Sequence, residues 1–299
     1  MRSASPQGDR PAAAADRGRR SRRLPSSRLV AYATLTGLVL FNLAVLFWLV
    51  IQALKTNNEF LGSPAWSLPS EWQWSNFVRA WEQAKISSYF LNSLLVSFGA
   101  TFLSLLVAVP AAYALARFPG GRATSAVRAL FFSGLLVSPV ILVVPLYFEF
   151  VTLHLLDSLL GLALLYSGMS IPFSVWYLTS FFGALPRELE EAAATDGAGV
   201  IRSFVGIFLP NAMPGCTAVF VVNWLWAWNE FFFALTFLNS DAKYTIALGV
   251  FNLQVNSQYS ANWVTLFAGV LITTVPVLVV YGLLSEQITR AMGQGAVKG

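Results

Sequence analysis

Pro186-Arg187-Glu188-Leu189-Glu190-Glu191-Ala192-Ala193-Ala194-Thr195-Asp196-Gly197 is a short charged stretch between two long apolar ones, and it runs on to Ile207-Phe208-Leu209-Pro210. Four of the chain's 14 acidic residues fall within positions 188–196. Most of the remaining sequence suits lipid. A charged element in such a chain has to lie outside the bilayer, because ionisable side chains are costly at membrane depth. It is therefore available for another protein to hold.

Composition sets the class. Of 299 residues, 56% are hydrophobic and 11% charged, against about 25% charged in soluble domains. Together with 24 Phe and 10 Trp, this predicts an all-α polytopic membrane protein. Cys216 is the single cysteine and His154 the single histidine. That excludes an intrachain disulfide, a Cys-based metal cluster and a His-rich metal site. Residues 1–28 hold eight Arg and almost no large apolar side chain, which predicts a disordered, Arg-rich cytoplasmic extension. A tail that keeps the N-terminus inside is the simpler account of it, and a nucleic-acid or lipid-binding tail the other.

Six windows free of charge are long enough to span a bilayer, 29–54, 86–116, 129–148, 158–186, 203–229 and 244–285, at about 20 residues per helix. They predict helices near 29–53, 87–115, 127–150, 160–183, 212–237 and 263–287. The first apolar region exceeds a signal h-region of about 7–15 residues and is followed by Gln52-Ala53-Leu54-Lys55, a poor cleavage site, so a retained helix is expected. With the N-terminus inside, 15 of the 19 basic residues lie on inside segments. The positive-inside bias then places both termini in the cytoplasm. It also accounts for the net charge of +5 without a nucleic-acid partner. The outside loop 54–86 carries Trp66, Trp72, Trp74 and Trp81, which suit either the membrane interface or a docking surface for an external protein.

In the fifth predicted helix, Asn223, Ala227, Glu230 and Ala234 share a face. Glu230 lies about 27 Å along that helix from Ala212 at 1.5 Å per residue. An ionisable residue there is a functional-site hypothesis, and a structural ion pair or a boundary residue is the alternative. Asn223, Asn229 and Glu230 are the candidates for the substrate pathway. In the opening stretch, Glu188–Ala194 are helix formers, Asp196-Gly197 is a stop, and Ile201, Phe204 and Phe208 share the face of a second short helix. The product is a helix–turn–helix outside the membrane, either a docking element or an ordinary amphipathic interfacial loop.

The spacing Glu191-Ala192-Ala193, three residues, Gly197, nine residues, Ile207, one residue, Leu209-Pro210 resembles the EAA loop of ABC importer permeases. The entry Pro186–Ala193, Trp228-Asn229-Glu230-Phe231 and the end Gly295–Gly299 look like carbohydrate permeases of the maltose/multiple-sugar type, the last like the second, shorter permease of that heterodimer. The resemblance covers roughly residues 29–299. It implies a type I ABC importer permease fold of six transmembrane helices in the bacterial cytoplasmic membrane. It implies that the loop 186–210 docks on a separate ATPase through Glu190, Glu191, Ala192, Ala193, Asp196, Gly197, Ile207, Leu209 and Pro210, and that the tail at Lys298 and Gly299 reaches the ATPase pair. The implied partners are a second permease subunit, dimeric ATP-binding subunits, an extracytoplasmic solute-binding protein and the lipid bilayer.

No Lys follows a Gly anywhere in the chain, so it has no G-x-x-x-x-G-K-[ST] phosphate loop. The expected subunit carries no cofactor and no catalytic residue of its own. ATP and Mg belong to the partner ATPase, whose closure drives alternating access in the permease. Two other readings stay open: an ABC permease for a non-sugar solute such as an amino acid, phosphate or polyamine, and an ion-coupled secondary transporter.

Overall fold

The computed structural model describes residues 26–83, 85–118, 120–195, 197–260 and 262–296. The 1–28 extension thus falls largely outside the described residues, and Asp196, Lys298 and Gly299 lie outside them altogether. Residues 1–47 and 48–299 form two units. The first contains most of α1 (Ser26–Ala53), whose apolar side chains, Leu35 and Phe41 among them, are exposed. Its polar side chains turn back onto their own helix: Thr34 Oγ1 donates to the Val30 carbonyl at 2.9 Å and Asn42 Nδ2 to that of Leu38 at 2.8 Å. A helix this long and apolar on every side suits a membrane span.

In the second unit α1 is followed by two short helices, α2 (Asn57–Gly62) and α3 (Ser75–Val78), the latter continued by a π turn, Arg79–Gln83. Next come α4 (Ile86–Arg117), α5 (Gly121–Gly134), α6 (Pro139–Thr152), α7 (Leu159–Ala184), α8 (Glu188–Thr195) and α9 (Val200–Ser203). A second π turn, Phe204–Phe208, leads into α10 (Leu209–Asn229), then α11 (Phe232–Phe237), α12 (Ile246–Ser260) and α13 (Trp263–Ala296). No strand occurs among the described residues. Five of the described helices are long and apolar enough to cross a membrane, and α5 with α6 makes a sixth span if that bent pair is counted as one.

The core is the pair α4 and α7, with α10 packed across both. Small side chains allow this approach: a Cβ on Gly99 would stand 4.0 Å from that of Ala163. Where the three helices meet, Asn223 Nδ2 donates to Ser174 Oγ at 2.8 Å, and Ser104 Oγ lies 3.3 Å from Ser174 Oγ. All three side chains are buried. Polar groups at such depth have to satisfy one another, and this trio fixes the register of three helices.

Three stretches depart from the sequence expectation. In place of one helix near 127–150, α5 and α6 meet at 100°. The break falls at Pro139: the residue before proline is disfavoured in the helical region, and Ser138 has ψ 126. In place of a helix running to 237, α10 ends at Asn229. Glu230 is extended, its Oε1 accepts from the Phe233 N–H at 2.9 Å and its Oε2 from that of Ala234 at 3.2 Å. Glu230 thus caps the short α11, and the Tyr166 hydroxyl donates to the same carboxylate. Finally, α12 occupies a stretch where the charge-free windows placed no separate element.

At the end remote from α8, the segment 238–245 is clamped by charge. The Lys243 ammonium pairs with Asp157 at 2.8 Å, and the Asn239 and Ser240 N–H groups donate to Asp157 Oδ1 at 3.0 and 2.9 Å. Burial pushes the Asp157 carboxyl up, but Lys243 and the Ser240 and Asn239 donors outweigh it and hold it well below the ordinary carboxylate range. A depressed pKa stabilises fully above the unfolded value of about 4 and is lost only as pH falls through the folded one. The clamp is therefore intact throughout pH 5–8. Lys243→Met leaves burial less opposed, so the loss should begin at higher pH. Thermal unfolding of the purified protein between pH 4 and 7 should show an acid-sensitive step in Lys243→Met that the unsubstituted protein lacks, and coincident curves would contradict this.

Candidate docking and coupling site

Leu185 ends α7 in extended conformation, ψ 144, ahead of Pro186. In α8, Glu188, Glu190 and Glu191 occupy the first turn, where carboxylates favour the positive end of the helix dipole. The helix closes with the Ala198 N–H donating to the Ala193 carbonyl at 2.9 Å. Gly197 lies between them at φ +68, so the end of α8 is a Schellman turn whose left-handed position favours glycine. α9 and the π turn then run without interruption into α10. The wide turn sits just before Pro210, which has no N–H to donate, and the Leu209 N–H reaches the Phe204 carbonyl.

One side of this element faces its own protein. Ala193 and Phe208 are buried, and Glu190 is half-buried. Arg117, the last residue of α4, holds it there. Its Nη1 pairs with Glu190 at 3.1 Å, its Nη2 donates to the Leu185 carbonyl at 2.9 Å, and its guanidinium lies 4.9 Å from the centre of the Phe208 ring. One buried cation thus ties α4, the end of α7, α8 and the π turn together. Tyr113, one turn earlier on α4, packs its ring on Phe208, Phe204 and Phe182 at 5.1, 4.9 and 5.7 Å. A cavity of about 250 Å³ remains between Tyr113, Arg117, Glu190 and Val200.

The other side faces outward. Ile201 is 79% exposed, Val200 and Val205 are exposed, and so are Glu188 and Glu191. Aliphatic side chains beside carboxylates that pair with no cation among the described residues, on a braced helical turn, form a surface suited to a partner carrying an apolar socket and basic groups.

The positions singled out in the sequence separate accordingly. Glu190 and Ala193 face inward, Glu191 and Pro210 outward, and Ile207 and Leu209 are half-buried. Ala192 is placed by its backbone within α8. Asn223 belongs to the serine trio and Glu230 to the α11 cap. Asn229 lies on a cavity of about 270 Å³ with Trp228, Thr273 and Thr274. Arg117 and Tyr113 escaped the sequence reading. The only signal of Arg117 was that it ends the charge-free window 86–116, which marks an inside boundary and not a brace.

Gly197 yields a first expected result. Valine at φ +68 carries backbone strain of about 1–3 kcal/mol, with no clash, since nothing lies within 4 Å of an added Cβ. Under the coupling role that the sequence resemblance implies for this loop, Gly197→Val should open the turn between α8 and α9 and abolish substrate-stimulated ATPase activity of the transporter. Gly197→Asn, which tolerates that region, should retain most of it. Full stimulation and transport in Gly197→Val would refute the turn's role.

Residues 108–292 match the family described as binding-protein-dependent transport system inner membrane component. The chain is 35% identical over 266 residues to the diacetylchitobiose uptake system permease protein NgcG of Streptomyces coelicolor, covering 87% of each. It is 30% identical over 256 residues to the sulfoquinovosyl glycerol transport system permease protein SmoH of Agrobacterium fabrum (84% of this chain, 87% of the relative). It is 28% identical over 278 residues to the trehalose transport system permease protein SugB of Mycobacterium tuberculosis (91% and 98%). Its fold is similar to a chain in the crystal structure of a bacterial ABC transporter involved in the import of the acidic polysaccharide alginate, with TM-score 0.74, 20% identity, and coverage of 87% of this chain and 97% of that one.

Proposed function

Because this chain belongs to the binding-protein-dependent transport system inner membrane components, we propose that it is a permease subunit of an ATP-driven carbohydrate importer. Its surface at 186–210 takes up the movement of a partner ATPase. The observation that carries this is the two-sidedness of the loop: one face is locked to α4 and α7 through Arg117, the other presents Ile201, Val200 and two carboxylates outward. A lever needs both, a grip for the partner and a rigid connection to what it moves. The relatives' names support the cargo, since permeases for diacetylchitobiose, trehalose and sulfoquinovosyl glycerol all act on sugars or sugar conjugates.

The mechanism is mechanical. ATP binding closes two ATPase subunits, each carrying one such loop with it. α8, α9 and the π turn then shift as one body with the ends of α4, α7 and α10, because Arg117 and Tyr113 leave them no independent motion. The membrane cavity passes from inward-facing to outward-facing and receives sugar from an external solute-binding protein, and hydrolysis resets it. ATP and Mg bind the partner. This scheme places the loop and both termini in the cytoplasm, the bias that the basic residues favour. It makes the chain the second, shorter permease of a heterodimer, with its tail at Lys298 and Gly299 toward the ATPases. Asn229 is the residue we place on the sugar path. Asn223 and Glu230 shape that path from behind, through the trio and the cap.

The test is reconstitution. The chain is co-expressed with the second permease, ATPase and solute-binding protein that this reading requires, and placed in proteoliposomes. ATP-dependent accumulation of a sugar is the expected result. Uptake driven by an ion gradient without the ATPase, or of an amino acid or phosphate in place of sugar, would overturn the reading.

A further inference from the structure

At the end of the second unit remote from α8, a recess of about 370 Å³ lies between the π turn Arg79–Gln83, the start of α4, the segment 238–245 and α12. This is within the size range of small-molecule pockets. Gly249 brings the α12 backbone directly onto Tyr89: a Cβ at 249 would stand 2.1 Å from a carbon of that ring. The Tyr89 hydroxyl and the Lys85 ammonium both donate to Asp241, so these three groups satisfy one another. Arg79 is different. Its Nη2 donates to Ser75 Oγ at 3.1 Å, and no carboxylate among the described residues pairs with it. Asn252, on α12, makes no hydrogen bond among the described residues and lines the same recess.

A half-buried guanidinium and a carboxamide, both open, beside a tyrosine ring are a recognisable set. The planar fork of Arg matches a pair of neighbouring hydroxyl oxygens, and an amide reads one donor and one acceptor at once. Among the residues that line the recess, Leu253 and the Tyr89 ring are the large apolar surfaces, fewer anchors than a protein partner would need. The geometry points to a sugar-binding subsite: we propose that the recess receives one ring of the transported carbohydrate by its hydroxyls, with Arg79 and Asn252 as its donors. The proposal rests on the reading of the chain as a carbohydrate permease. It adds a second station for the sugar, apart from the cavity at Asn229 and at the end of the molecule opposite the coupling loop.

The experiment uses the complete transporter. Diacetylchitobiose, trehalose and maltose are first tested for ATP-driven uptake into proteoliposomes. Whichever sugar is transported is then measured, radiolabelled, for equilibrium binding to the permease–ATPase complex in nanodiscs without the solute-binding protein. Binding to the unsubstituted complex is expected. Arg79→Gln and Asn252→Ala should each weaken it about tenfold, and Asn252→Trp, which fills the recess, should abolish it. Assembly of each variant is verified by co-purification with the ATPase. Unchanged affinity in the assembled Asn252→Trp complex, or no binding of a sugar that is transported, overturns the subsite and leaves the functional reading intact. Loss of affinity for the solute-binding protein alone also overturns it and makes the recess a docking surface. Uptake of none of the three sugars, with a non-sugar solute carried instead, overturns the functional reading and the subsite with it.

Discussion

Ile201→Asp should detach the ATPase. The side chain is 79% exposed at the tip of the outward face, where an apolar anchor filling a partner's socket typically contributes about 2 kcal/mol or more. Aspartate forfeits that contact and adds a charge beside Glu188 and Glu191. The affinity of the permease pair for the ATPase should fall at least about thirtyfold, and the ATPase should no longer co-purify. Ile201→Leu, similar in volume, should keep most of the binding. Membrane insertion should be unaffected, since Ile201 lies at the very start of the apolar span 200–229. If Ile201→Asp retains the ATPase with unchanged affinity, the outward face is covered by lipid headgroups, and the stretch is an ordinary interfacial loop.

Arg117→Met should give the opposite phenotype, an ATPase that binds but does not drive transport. Methionine keeps the unbranched stem and removes the ion pair with Glu190, the hydrogen bond to the Leu185 carbonyl and the guanidinium over the Phe208 ring. Breaking a fully buried ion pair costs about 3–5 kcal/mol. Here the side chains are 6% and 40% exposed for Arg117 and Glu190, so water can recover part of the carboxylate's solvation, and about 1–3 kcal/mol is expected. That loosens the brace without unfolding the protein. Sugar transported per ATP hydrolysed should drop about tenfold while ATPase binding stays within about twofold, the tenfold corresponding to about 1.4 kcal/mol of lost coupling. Glu190→Gln, which removes the charge of the pair but leaves Arg117 its hydrogen bond to Leu185 and its place on Phe208, should show a smaller drop. Adding Arg117→Met to it should cost less than the sum of the two, as residues in one contact do. Equal losses of binding and of coupling would mean that Arg117 only supports the fold.

How far these features were legible depends on the kind of physics each one uses. Apolar run length is a local property, so the spans at 29–53, 87–115 and 160–183 lie close to the observed helices. The loop's spacing is also local, and Gly197 with its positive φ follows from the stop it makes after a run of helix formers. The break at Ser138 was marked in the sequence by Pro139, but proline is tolerated inside membrane helices. Pro110, Pro172 and Pro276 all sit within unbroken ones, so the residue alone does not decide. The break at Glu230 could not be read from sequence. It depends on a carboxylate that turns back to its own backbone and on Tyr166 from another helix. Asn223 looked like a pathway residue by its place on a helix face, and only the serines brought in from α4 and α7 reveal its structural use. Arg117 shows the same limit most plainly. Its neighbours Glu190, Leu185 and Phe208 lie between about 70 and 90 positions away, and no local pattern announces them.

On this reading, force enters the chain through the outward face of 186–210. This is tested most directly by protection of one thiol. Ile201→Cys is made in a Cys216→Ala background, so that position 201 carries the only cysteine, and a membrane-impermeant maleimide is applied to inside-out vesicles. The account predicts rapid labelling when the two permease subunits are present alone and strong protection when the ATPase is bound. Equal labelling with and without the ATPase, or labelling only from the opposite side of the membrane, would contradict it.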